Sequence, residues 1–237
     1  MINVKGNVIT GDNNKIIING REVDLTDDGE KVVFDEKKEV DCSETYSFSI
    51  KADVAEVSIS TTNSSKIEAH LYGEVGNKSN INFYIKSIKN EIVIAAEVVK
   101  GYGCRNLKLD ILIPNKKFEK ISIETKSSNI YVNDGVRAEK ITEETMSGNI
   151  VNRGLIIRTV EAKSMSGNVE LIIDAVADIS AKVTTMSGDI SIKLNNVSSI
   201  YADVDSMSGK VVNSQNEQKG YKAKIKASSM SGDISIM

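Results

Sequence analysis

Six serines stand in register along the second half of a 237-residue chain: Ser127, Ser147, Ser166, Ser187, Ser208 and Ser231. Five of them follow a methionine (Met146, Met165, Met186, Met207, Met230) and precede a glycine. The next position holds Asn129, Asn149, Asn168, Asp189, Lys210 or Asp233. A repeated hydroxyl suggests a nucleophile, and a column of amide and carboxylate oxygens suggests a cation site. A serine nucleophile needs a neighbouring base to take its proton. The only histidine, His70, lies outside the array, and no lysine recurs beside the serines. A calcium site needs about six oxygens per ion. One short polar residue per repeat, with Lys210 in the series, does not supply them. The same residues suit construction: hydroxyls that satisfy corner backbone groups, and Asn or Asp side chains that cap a turn.

The remaining reactive groups are scattered. Glu143 and Glu144 form the one acidic pair of the array. Neighbours on a strand point to opposite faces, so the two cannot flank one glycosidic bond. Cys42 and Cys104 lack metal-ligand spacing and are read as two free or partly buried thiols, with a single bridge between them left open. A single histidine argues against a histidine-based metal site or catalytic triad. Gly101-Tyr102-Gly103-Cys104-Arg105 gathers an aromatic, a thiol and a guanidinium in a connecting loop that could also serve as a contact. No catalytic residue, cofactor-binding residue or metal ligand is assigned, and no cofactor is expected.

The elements that carry these residues are strands. The serines are spaced by 20, 19, 21, 21 and 23 residues, a fixed period that denotes a stack of equivalent units. Apolar residues alternate with polar ones, as in Lys66-Ile67-Glu68-Ala69-His70-Leu71-Tyr72 and Asp189-Ile190-Ser191-Ile192-Lys193-Leu194, which is the strand period. Three zones follow. Residues 1–40 hold an Asn/Gly-rich start, a hairpin turning at Asn19-Gly20 and a charged stretch. Residues 41–124 carry seven strands, near 46–50, 54–60, 66–72, 81–85, 91–99, 106–113 and 119–124, and Pro114 ends one of them. Residues 125–237 are the repeat array. One repeat cannot bury its own apolar row, whereas stacked repeats can, each strand pairing in parallel with its equivalent about 4.8 Å away. The glycine allows a sharp corner with unusual backbone angles. The methionines are expected to point inward or fill the corner, because methionine adapts to irregular gaps; an outward column would be an apolar contact stripe.

Composition bounds the partners. The chain carries 30 basic and 33 acidic residues, for a net charge of -3, and so lacks the basic footprint of a nucleic-acid binder. There is no tryptophan, with four phenylalanines and seven tyrosines, so stacking platforms are few. The first residues lack a basic segment followed by an apolar run, and no run approaches the roughly 18 apolar residues of a membrane span. A cytoplasmic location is the expectation.

Ser-Gly-Asp-Ile-Ser-Ile phrases at this period follow a lead-in, Leu107-Lys108-Leu109-Asp110-Ile111-Leu112-Ile113-Pro114 and then Lys120-Ile121-Ser122-Ile123. Over residues 45–237 the chain resembles a bacterial adhesin-like β-solenoid family of unknown function. The resemblance implies an all-β fold, a right-handed parallel β-helix or β-solenoid with rungs of about 20 residues, its N-terminal strands extending or capping the stack. It adds cell-surface association to the expectations and brings no catalytic residues with it.

The C-terminal phrase ends in mid-strand at Ser235-Ile236-Met237, after Lys222, Lys224 and Lys226. Residues 229–237 are thus expected to form the last rung, with the lysines guarding its edge or the rung joining two chains. The function expected is a non-catalytic binding, adhesion-like or scaffold module whose partner is a protein or a glycan. The alternatives are a self-assembling structural protein like the bactofilins and, less favoured, a carbohydrate-active β-helix enzyme.

Overall fold

The computed structural model describes residues 15–18, 21–24, 31–76, 79–100, 105–214 and 220–237. The protein is all-β, with no helix among these residues. Lys15–Ile18 and Arg21–Asp24 pair antiparallel, with Ile18 opposite Arg21. All other strands belong to two open sheets, of nine and ten strands. Each of the seven strands expected between 46 and 124 is present, from Ser47–Ala52 to Lys117–Thr125. The loop at 101–104, with Cys104, lies outside the described residues. Cys42 is a free, buried thiol.

Eight rungs build the stack, each giving one strand to each sheet in parallel pairing. In Ile179–Ser187 and Ile190–Asn195, Ile179, Ala181, Val183, Ile190, Ile192 and Leu194 face inward and are buried. Their partners one rung away take the same positions: Val160, Ala181 and Ile225 align, as do Val169, Ile190 and Ile234. The two inward rows merge into one continuous core. Beyond the rung of Glu91–Lys100 and Arg105–Pro114, antiparallel strands finish the stack. Asn80–Ile88 closes the nine-stranded sheet, while Lys66–Gly76 and then Lys31–Asp41 close the ten-stranded one. The N-terminal strands therefore both extend the stack and cap it.

Rung order in space differs from rung order in sequence. Tyr221–Ser231 and Ile234–Ile236 lie between the rung at 179–195 and the rung at 197–213. The last repeat is internal, and among the described residues the outermost rung is Val197–Ser206 with Val211–Asn213. This corrects the expectation that 229–237 ends the stack and could join chains there. Lys222, Lys224 and Lys226 do not guard an end, and Lys226 pairs with Asp203 of the outer rung at 3.1 Å.

The corner chemistry explains that order. Each Asn or Asp side-chain oxygen accepts the backbone N–H of its counterpart one rung further out. Asn149 donates to Asn129, Asn168 to Asn149, Asp189 to Asn168, Asp233 to Asp189 and Lys210 to Asp233, all at 2.8–2.9 Å. Lys210 has no side-chain acceptor to offer a further rung, and among the described residues none follows it. A second ladder lies inside. Thr145, Ser164, Thr185, Ser229 and Ser206 each donate a hydroxyl to the corner carbonyl of the rung beneath, at 2.8–3.2 Å. The expected hydroxyl ladder thus belongs to the residue before each methionine; the Met-Ser-Gly serines are exposed.

Glycine is required at the corner by close approach. A Cβ at Gly167 would overlap the carbonyl of Gly148, and one at Gly232 the carbonyl of Gly188. Ser128 holds the equivalent place on the first array rung. The rung beneath it, 47–62, turns through a different corner, and there a side chain is tolerated.

One rung breaks the apolar rule. Glu143 is fully buried, between Ile123 and Ala162 in the neighbouring rungs, while Glu144 faces out to Lys163 at 2.7 Å. Asn152, buried on the facing sheet, donates to Glu143 Oε2 at 2.9 Å, and its own oxygen accepts the Gly154 N–H. Glu143 Oε1 has no partner among the described residues. Burial raises the Glu143 carboxyl to about 7, opposed in part by the Asn152 hydrogen bond.

Two outcomes are expected. Gly167→Ala should lower stability by about 1–3 kcal/mol through overpacking, whereas Ser128→Ala should change it little; denaturant midpoints would decide. For Glu143 the folded protein holds the proton more tightly than the unfolded chain, so stability falls as pH rises from about 4.5 to about 7. The penalty is complete above that window and is on the order of 3 kcal/mol. Glu143→Gln should therefore raise the melting temperature at pH 8 and lose that advantage at pH 4.5. An equal effect at both values would refute the assignment.

Candidate functional site

The methionine column points outward. Met146, Met165, Met186, Met230 and Met207 stand in that spatial order on successive rungs, and all are 42–77% exposed. This corrects the inward expectation. The hydroxyl residue before each methionine must face inward to reach the corner carbonyl, and alternation then turns the methionine out. The result is an exposed apolar stripe down one corner of the stack.

A more specific arrangement lies on the outer face of the ten-stranded sheet, where the rungs meet the antiparallel cap. Strand register lays out three rows. Tyr131, Ser58, Asp110, His70 and Lys37 form the middle one. Ser60, Leu112, Glu68 and Glu39 lie on one side of it, and Glu56, Lys108, Tyr72 and Asp35 on the other. These are the outward positions of strands whose alternate residues, Val57, Ile59, Leu109, Ile111, Ala69 and Leu71, fill the core. Core burial thus fixes the direction of each polar side chain.

Hydrogen bonds brace the rows. Tyr72 donates its hydroxyl to Asp110 Oδ2 at 2.9 Å, which raises the phenol above its usual range, with burial adding to the effect. His70 Nε2 lies 2.9 Å from Asp35 Oδ1, and its ring packs on that of Tyr72 with centroids 4.5 Å apart. Asn133 Nδ2 donates to Ser58 Oγ at 3.1 Å and to Ser60 Oγ at 3.0 Å. Both hydroxyls act as acceptors there, so their protons are free to point into the groove. A cavity of about 580 Å³ opens above these groups, lined among others by His70, Asp110, Ser58, Ser60 and Glu68, with Leu112 as an apolar floor.

Carboxylates outnumber ammonium groups across the three rows, which disfavours an anionic ligand. Among the described residues no three His, Cys, Asp or Glu side chains converge to hold a metal ion. The groove instead offers hydroxyl donors, carboxylate acceptors, the His70 ring braced by Tyr72 and an apolar floor, within the volume range of small-molecule sites. It can hold an uncharged, hydroxyl-rich ligand.

None of these residues was singled out as a site from the sequence. His70 was read only as too solitary for metal or triad chemistry. The signal present was the kind of outward residue, Ser, Tyr, His and Asp in place of the usual Lys and Glu, on strands that register alone brings together.

A search among curated proteins finds no match to this sequence. Among solved structures the fold is similar to that of a candidate cell adhesion protein from Clostridium sporogenes, with a TM-score of 0.50 at 14% identity, covering 86% of this chain and 99% of that one. It is also similar to that of a candidate adhesin from Bacteroides fragilis, with a TM-score of 0.51 at 14% identity, covering 88% of this chain and 97% of that one. At such identity the likeness concerns the fold. The sequence profile of the family described as Toastrack DUF4097 matches residues 43–237, from the turn before Ser47–Ala52 to the end of the last repeat, and the chain belongs to that family.

Proposed function

We propose that the protein is a non-catalytic, adhesion-like binding module whose groove at Ser58, Ser60, His70 and Asp110 holds an uncharged glycan. The single observation that carries this reading is the convergence of Ser58, Ser60, His70 and Asp110 on one cavity, with Asn133 donating to both serine hydroxyls and Tyr72 bracing Asp110 and His70 from beside it. Sugar hydroxyls both donate and accept. A carboxylate accepts from them in a charge-assisted bond, worth about 1.5–3 kcal/mol, and the His70 ring, held against Tyr72, offers an apolar face to the sugar's C–H groups. The structural relatives described as adhesion proteins support a binding role. A right-handed coil of about 20 residues per rung, the hand that parallel crossovers favour, would carry the groove on a rigid support. The scaffold reading draws on a different feature, the rung at 197–213, whose outer edge pairs with no strand among the described residues. Surface association fits an adhesion role, and the described residues contain no helix long and apolar enough to cross a membrane.

Glycan-array screening of the full chain, followed by titration of the best binder, tests the proposal. Asp110→Asn and Tyr72→Ala should each weaken binding about tenfold or more at unchanged melting temperature, and Met165→Ala should leave it intact. The proposal fails if no uncharged glycan binds, or if Asp110→Asn and Tyr72→Ala bind as well as the parent. Release of shortened sugar from a bound oligosaccharide would overturn the non-catalytic reading.

A further inference from the structure

The corner does not itself require methionine. The hydroxyl residue before each methionine and the glycine two places after it build the bend, and other side chains fill the core. On the first array rung the same position is Lys126, which stands beside Met146 by strand register and reaches Asp53 at 2.6 Å. The bend thus accepts a charged side chain that faces solvent. Methionine nevertheless occupies this position on every other rung of the array, at 42–77% exposure. The isoleucines, leucines and valines that fill the core stand there on none of them.

What separates methionine from those aliphatic residues is its sulfur. A thioether is a neutral, soft donor, and soft sulfur ligands select Cu(I) over hard cations such as Mg and Ca. Uncharged donors also leave the ion's charge uncompensated, which favours a monovalent cation over a divalent one. Strand register sets these donors side by side. The flanking residues pair across each step: Thr145 with Ser164, Ser164 with Thr185, Thr185 with Ser229 and Ser229 with Ser206. Successive methionines therefore start about 4.8 Å apart, the spacing of paired strands. A metal–sulfur bond is about 2.3 Å in zinc sites, so an ion held between two sulfurs spans about 4.6 Å. Unbranched, flexible side chains absorb the small difference.

We propose that the methionine column binds Cu(I), each ion held between the thioethers of neighbouring rungs. Adjacency is the essential feature, because a single neutral thioether offers one weak bond and no charge. The crossed rung order decides which sulfurs are adjacent: Met186 neighbours Met230, and Met207 follows as the outer member. The site lies on the corner of the stack, apart from the groove at Ser58 and Asp110, and does not depend on what that groove holds.

Anaerobic titration of the full chain with Cu(I), read by the methionine ε-methyl signals in NMR spectra, tests this. The signals of Met165, Met186 and Met230 should move. That of Met237, similarly exposed but outside the column, should not, and Zn(II) should move none of them. Thiols compete for Cu(I), so affinities are compared in chains that carry Cys42→Ala and Cys104→Ala with unaltered circular dichroism. If Cys42→Ala disturbs the fold, the methyl signals make the same comparison in chains that keep both cysteines. Met165→Leu with Met230→Leu leaves Met146, Met186 and Met207 each without a neighbour. It should weaken binding about tenfold or more, at least the cost of losing a partner outside the ligand shell. Met146→Leu with Met207→Leu removes as many sulfurs but keeps Met165, Met186 and Met230 together, and should bind like the parent. Equal affinity in these two double variants overturns the proposal, as do column signals that stay in place or that respond equally to Zn(II).

Discussion

The structure depends on how closely one corner sits on the next. Wherever a corner crosses its predecessor, a glycine lies against a carbonyl with no room for a side chain. An Asn or Asp oxygen just beyond it accepts the N–H of the following rung. Inside the same corner a Thr or Ser hydroxyl takes up the carbonyl beneath. These contacts thus give partners to N–H and carbonyl groups at a bend where strand pairing is interrupted. The parallel pairing of strands on either side follows from that stacking, and the apolar rows meet because the strands are in register.

That constraint accounts for most of what surrounds it. Methionine faces outward because the residue before it is needed inside. Lys210 belongs to the outer rung because it cannot pass a hydrogen bond onward. Ser128 is permitted where the rung beneath turns differently. The proposed groove lies where this corner logic does not apply, among the strands 31–76 and 91–114. Their outward residues are free to differ from rung to rung, so a specific surface can form on a fold whose other faces repeat.

Much of the architecture was legible in the sequence. Alternation located every strand between 46 and 124, and the spacing of Met-Ser-Gly located the six rungs of the array. Rung order was not legible, because alternation is the same in each repeat and the order depends on which corner can donate to which. The direction of the methionines was hidden because two successive residues, Met and Ser, both face out at the bend and break the period of two. The groove was hidden for another reason. Ser58, Tyr72 and Asp110 are far apart in sequence, and mixed parallel and antiparallel pairing brings them together.

The buried Glu143–Asn152 pair bears on a problem that every repetitive chain faces. Successive repeats here are nearly interchangeable, so a stack that slipped by one whole rung would lose few apolar contacts. A carboxyl and an amide that satisfy each other across the core occur on one rung only. Any slipped arrangement would set Glu143 against Val132 or Leu171 and leave Asn152 facing an aliphatic side chain. The pair thus serves as an address within a uniform array, giving one alignment of the two sheets a distinction that the repeats themselves do not provide.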